Sequence, residues 1–168
     1  PILNYIGNIQ LLRIDDFWKL VYDGKDIFSD YQRALNSLAV LKRQTVPDKE
    51  LLTATLQIVR SGKLLPLRDY EWLDDYKTHY TNMVIETLTQ LSGCATIKKD
   101  LPLLLSVAEA ILLQDDIEEY AVKLKCSILF KIGKKKQALQ CYNKFAEEYL
   151  AMLNTQPDMT FNEMVNNE

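Results

Sequence analysis

The stretch from residue 116 to residue 153 constrains the fold more than any other. Two helical patterns of apolar residues meet there at one glycine, Gly133. Cys126 and Leu129 come before it; Ala138, Tyr142 and Phe145 come after it. A helix returns to the same face about every 3.6 residues, so these positions share one face on each side of the turn. Glycine ends a helix readily because it takes left-handed backbone without a Cβ clash. Small side chains at Cys126 and Ala138 let two backbones approach closely. The spacing predicts two antiparallel helices packed face to face. Cys126, Leu129, Gly133, Ala138, Tyr142 and Phe145 are then packing residues and carry no chemistry.

Upstream of this hairpin the helical pattern continues. Tyr31, Leu35, Leu38 and Leu41 mark a first helix. Pro47, with Asp48 and Glu50 behind it, suits the start of a second, whose stripe is Leu52, Leu56 and Val59. An apolar loop, Leu64-Leu65-Pro66-Leu67, follows. Asp69 is the expected cap of a long third helix carrying Leu73, Tyr76, Tyr80, Met83, Leu88 and Leu91, ending at Gly93. Asp100 and Pro102 open a fourth helix over 101–113, apolar nearly all round and so expected between neighbours. Asp116 and Glu119 have capping-box spacing for a fifth helix to residue 132. A sixth runs over 134–153 with Ala138, Tyr142, Phe145, Tyr149 and Met152 on one face. Pro157 breaks the chain before a short final helix over 160–165. The first 28 residues differ. Short runs rich in aromatic and branched residues are punctuated by Asp15-Asp16 and Asp23-Gly24, which reads as a β-hairpin of 8–14 and 17–22 and a third strand over 25–28.

The chain has 168 residues, room for one domain or one domain and a fragment of another. A net charge of −3 argues against a free-standing nucleic-acid binder. Three cysteines without a CxxC point to a reducing compartment. Cys126 and Cys141 fall on facing helices of the hairpin, where packing is the expected role and a disulfide the alternative. No catalytic set is visible. His79 is the one histidine and sits on the polar side of the third helix. Asp74-Asp75 and Asp115-Asp116 are adjacent carboxylates that diverge or cap, an unsuitable arrangement for a metal. Gly62-Lys63 and Gly133-Lys134 lack the rest of a phosphate loop. Lys134, Lys135 and Lys136 read as a solvated turn, with an acidic partner or DNA phosphates as the alternative. Trp72 reads as an anchor for the 64–67 loop, with partner contact as the alternative. No enzyme activity, cofactor, metal, small-molecule substrate or membrane span is expected.

A small residue at Cys126 with Gly133, Ala138 and Tyr142 resembles one tetratricopeptide (TPR) unit. One period back, about 34 residues, falls on Leu104 and Ala108, where helices still alternate but the residue pattern degrades. The fold class expected is mainly α: a TPR-like helical-hairpin array (an α-α superhelix) of about six to seven helices with a short N-terminal β-hairpin. A peptide-binding adaptor of this kind would carry a ladder of cations or amides on its first helices; Lys123 and Lys125 are scattered candidates.

Three further segments narrow the resemblance. They are Leu64-Leu65-Pro66 with Tyr70-Glu71-Trp72-Leu73-Asp74-Asp75-Tyr76-Lys77; Asn82-Met83-Val84-Ile85-Glu86-Thr87-Leu88; and Ala121-Val122-Lys123-Leu124-Lys125-Cys126 with Gly133-Lys134 and Tyr142-Asn143-Lys144-Phe145-Ala146-Glu147-Glu148-Tyr149. Together they resemble the bacterial transcriptional activator domain, the TPR-like domain that follows a winged helix in antibiotic-regulatory-protein type regulators. The resemblance implies two parts. Residues 1–28 would be the remnant of a winged-helix DNA-binding domain, with 1–7 the tail of its recognition helix and 8–22 its wing. Residues 29–168 would be the activator domain. It implies a cytoplasmic regulator whose partners are proteins, through self-association or the transcription machinery. DNA would be met only through the mostly missing winged helix, with Arg13 and Lys19 as phosphate contacts on the wing.

Overall fold

The computed structural model describes residues 9–14, 17–22, 25–26 and 29–166. The chain divides into two units, Pro1–Arg33 and Ala34–Glu168. In the first, β1 (Ile9–Ile14) runs antiparallel to β2 (Phe17–Tyr22), with Ile9 opposite Tyr22 and Ile14 opposite Phe17. Residues Lys25–Asp26 form β3 against the end of β2, with Val21 opposite Asp26. The expected turns at 15–16 and 23–24, the helix tail over 1–7, and residues 27–28 of the third strand lie outside the described residues. The first turn of α1 (Asp30–Arg43) belongs to this unit and holds an exposed Asp30–Arg33 pair at 3.7 Å.

The second unit is mainly helical. After α1 come α2 (Lys49–Val59), α3 (Glu71–Ser92), α4 (Ala95–Lys98), α5 (Leu101–Gln114), α6 (Glu119–Lys131), α7 (Lys135–Leu153) and α8 (Phe161–Asn166). The one-turn α4 has no counterpart in the sequence reading. Four residues cannot show a period, yet Ile97 within it is fully buried.

Helix starts correct several expected caps. Pro47 is buried but precedes α2; Asp48 is the cap and accepts from the Glu50 and Leu51 N–H groups at 2.9 and 3.1 Å. Asp69 does not cap α3. The cap position is Tyr70, in extended backbone, with no side-chain bond. Asp116 and Glu119 form no capping box either. Asp115 holds the Ile117 N–H at 3.1 Å, and α6 begins after Glu118. A true reciprocal box sits instead at α8. Thr160 receives the Glu163 N–H at 3.4 Å, and Glu163 receives the Thr160 N–H at 2.7 Å. The Thr160 hydroxyl, which also donates to Glu163 at 2.7 Å, and then the Thr160 N–H hold the Glu163 carboxyl below the usual range.

The central element is α5, which packs against α2, α3, α4 and α6. It buries Leu104, Val107, Ala108, Ala110, Ile111 and Gln114, as its all-round apolar pattern predicts. Removing the Leu104, Val107 and Ile111 side chains from water stabilises the fold by roughly 1.5–3 kcal/mol each. Polar ties complement the apolar core. Asp100 caps α5 through Leu103 N–H at 3.3 Å and takes Lys49 of α2 at 2.8 Å. The Lys49 bond, then the Leu103 bond, keep the Asp100 carboxyl below its ordinary range. Gln114 donates to the Val59 and Gly62 carbonyls at 3.5 and 3.4 Å, tying α5 to the end of α2 and the turn after it. Ser92 at the end of α3 donates to Thr89 O at 2.7 Å, so it receives the Tyr120 hydroxyl of α6 at 2.6 Å. Across α1 and α3, Lys42 meets Glu86 at 2.8 Å.

Candidate functional site

Gly133 has φ +80 and closes α6 in a Schellman arrangement. Lys134 N–H donates to Leu129 O at 2.8 Å and Gly133 N–H to Phe130 O at 3.0 Å. The chain therefore reverses sharply and lays α7 along α6. Cys126, Leu129 and Ala138 are buried at the crossing. Phe145, 2% exposed, joins Val122, Cys126, Met164 and Val165 in one cluster. Tyr142 and Tyr149 flank it half-buried. Tyr142 lies 5.8 Å from the Phe161 ring and donates its hydroxyl to Met159 O at 3.1 Å; Phe145 and Tyr149 meet at 5.3 Å. The segment after Pro157 thus folds back as a lid on the hairpin, and Ser127 fixes it by donating to Met164 O at 2.7 Å. Met152 does not share this face; it is 67% exposed.

The other aromatic group lies at the start of α3. Trp72 does not anchor the 64–67 loop as expected. It is 67% exposed, stacks on Tyr70 at 6.2 Å and meets Tyr76 edge-on at 6.3 Å. Tyr70 and Tyr76 are also about half exposed, and Leu67 in the preceding loop is 95% exposed. Leu65, at φ +44, holds left-handed backbone that costs an L-residue about 1–2 kcal/mol. Helix length gives the reason. At about 1.5 Å per residue α3 spans about 33 Å and its partner α5 about 21 Å, so the two cannot cover each other end to end. Burial on α3 is concentrated from Tyr80 onward, with Leu73 the one buried residue before it. Tyr70, Tyr76, Leu65 and Leu67 extend the contact surface that the sequence suggests through Trp72 alone. The available signal was a tyrosine–tryptophan–tyrosine run beside an apolar loop.

Lys134, Lys135 and Lys136 are exposed at the beginning of α7. Lys135 Nζ lies 5.0 Å over the Phe130 ring. Three cations at the positive end of a helix weaken it. On the second unit two grooves flank α6. One, of about 700 Å³ between α5, α6 and α7, has Lys134, Cys141 and Phe145 in its wall. Its charges largely cancel: Glu109 meets Arg60 at 3.2 Å and Lys125 at 3.5 Å, and Glu148 meets Lys144 at 3.4 Å. The other, of about 340 Å³, carries Lys98, Lys123 and Lys131 around Leu101, Leu104 and Leu124, with no carboxylate in its lining.

Arg13 is exposed on β1 opposite Trp18, and Lys19 stands opposite Leu12 on β2. His79 is exposed on α3. Among the described residues no cluster of His, Cys, Asp or Glu is arranged to hold a metal, and no helix is long and apolar enough to cross a membrane. No protein-family model, curated protein or solved structure matches the chain.

Proposed function

We propose that the chain is a non-catalytic regulatory and protein-interaction domain of a bacterial transcriptional regulator. In this reading the helical unit is a divergent TPR-like array. The β1–β2 strands are the wing of a DNA-binding domain, with Arg13 and Lys19 near phosphate. The helical unit positions that domain in the cytoplasm, by self-association or by contact with the transcription machinery.

One observation carries the interaction role: the exposed Tyr70–Trp72–Tyr76 group beside Leu65 and Leu67. Tyrosine and tryptophan dominate binding energy at protein interfaces because they bury much area at small entropic cost. Three packed aromatic rings left this exposed are unusual on a surface that meets only water. The transcriptional assignment rests on the ordered segments that resemble the activator domain. The work done is differential burial of helix faces, with no bond made or broken.

The test uses the full reading frame that contains this chain. DNA binding, half-site spacing preference and transcriptional output are compared with and without residues 31–168. The reading requires a change in spacing or output; equal values in all three end it.

A second reading, an adaptor for a protein or peptide with no DNA role, is favoured by the cationic groove of Lys98, Lys123 and Lys131. Such a groove suits an acidic peptide with an apolar residue. An acidic peptide bound by the helical unit, with output unaffected by its removal, supports this alternative.

A further inference from the structure

Of the three cysteines, two meet. Cys126 on α6 and Cys141 on α7 meet across the hairpin, Cys141 packing against the apolar cluster that holds Cys126. Cys126 is fully buried, with its sulfur also 3.4 Å from the Ala138 carbonyl. Cys141 is partly exposed in the wall of the 700 Å³ groove, so a small solute reaches it from solvent. The surroundings divide the roles further. Cys126, then Lys125 and Lys144, draw the Cys141 thiol below the ordinary range, against burial and Glu109. Cys141 and burial push Cys126 upward. Cys141 is thus the sulfur that solvent reaches and Cys126 the enclosed one behind it, the placement of an attacking and a resolving thiol. Cys94 offers an internal contrast: partly exposed, its sulfur reaches only the Gln90 carbonyl of its own chain segment, at 3.9 Å.

We infer that Cys141 and Cys126 form a hydroperoxide-reactive pair, in which Cys141 is oxidised from the groove and Cys126 closes a disulfide that ties α6 to α7. In the first step the Cys141 thiolate attacks one oxygen of hydrogen peroxide. An S–O bond forms, the O–O bond breaks, and the departing hydroxide takes a proton to become water. The product is a sulfenic acid. In the second step the Cys126 sulfur attacks the Cys141 sulfur. The S–S bond forms, the S–O bond breaks, and hydroxide leaves with the Cys126 proton as water. Two thiols lose two electrons in all, and one peroxide becomes two waters. The step is intramolecular, so the burial of Cys126 does not obstruct it. Because the pair bridges α6 and α7, the bond fixes α7 and the groove wall it carries. This inference is independent of the transcriptional reading.

The experiment exposes the reduced, folded chain to hydrogen peroxide, quenches with an alkylating agent and maps peptides without reductant. The expected result is a linked Cys126–Cys141 peptide, two thiols lost together and Cys94 still alkylated. In Cys126→Ser the linked peptide disappears and Cys141 is trapped as a sulfenic acid by dimedone. Oxidation of Cys94 before Cys141 overturns the inference, as does Cys141 sulfenic acid in the unmodified chain with no linked peptide. Should the Ser variant unfold, competition between Cys94 and Cys141 for peroxide in the unmodified chain decides alone.

Discussion

Two regions of the helical unit carry clustered aromatic residues and treat them in opposite ways. On α7, Phe145 is buried in a cluster with Met164 and Val165 of α8, Tyr142 and Tyr149 pack against that cluster, and Tyr142 meets Phe161. At the start of α3, Tyr70, Trp72 and Tyr76 pack on one another and face solvent. The residues are alike; what differs is whether a neighbouring element reaches them. The α7 stripe is covered because Gly133 folds the chain back and the segment after Pro157 folds back again. The α3 group keeps half or more of its surface exposed. A stripe thus becomes core or contact surface according to the length and return path of its neighbours.

The largest break in this comparison is Phe145→Ala. It empties the α7 cluster and should cost about 3–5 kcal/mol, read as a lower denaturant midpoint with unchanged slope. Next is Gly133→Ala, which forces left-handed backbone on a residue with a Cβ. Nothing lies within 4 Å of that position, so the cost is conformational, about 1–2 kcal/mol, and a thermal midpoint measures it. Thr160→Ala removes half of the α8 box and should cost about 1 kcal/mol, with faster amide exchange confined to α8. The box also gives a pH signature. The Glu163 carboxyl is depressed, so its contribution is complete above the unfolded value near about 4.3 and fades as pH falls through the folded one. Asp100 acts with the same sign. Protection of the α8 amides, taken relative to the intrinsic exchange rate at each pH, should fall on acidification below about pH 4, and a box without Thr160 should lose that dependence. A smaller effect, of opposite direction, is expected from Lys136→Glu. An anion at the start of α7 should raise stability by about 0.3–1 kcal/mol, less in high salt.

The comparison also explains what the sequence made legible. The hairpin was readable because a local rule, glycine ending a helix, coincided with a helical stripe on each side. The burial of α5 was readable because it is apolar nearly all round. The caps were less so. Asp48, Asp69, Asp115 and Asp116 are chemically equivalent, and only backbone geometry selects Asp48 and Asp115 as partners of helix-start N–H groups. One-turn α4 has no period to detect. Trp72 was the harder case. Its spacing suits an anchor and a contact equally, and the choice depends on how far α5 extends along α3. Likewise the pairing of Cys126 with Cys141, and not Cys94, follows from which helices face each other.

The central claim is that the α3 aromatic edge serves contact and the α7 aromatic stripe serves stability. Trp72→Ala in the full reading frame tests it most directly, with unfolding and transcriptional output or self-association measured on one preparation. The account predicts stability within about 0.5 kcal/mol of the parent, the range of surface substitutions, together with loss of output or association. A stability loss like that of Phe145→Ala, or unchanged output and association, would contradict it.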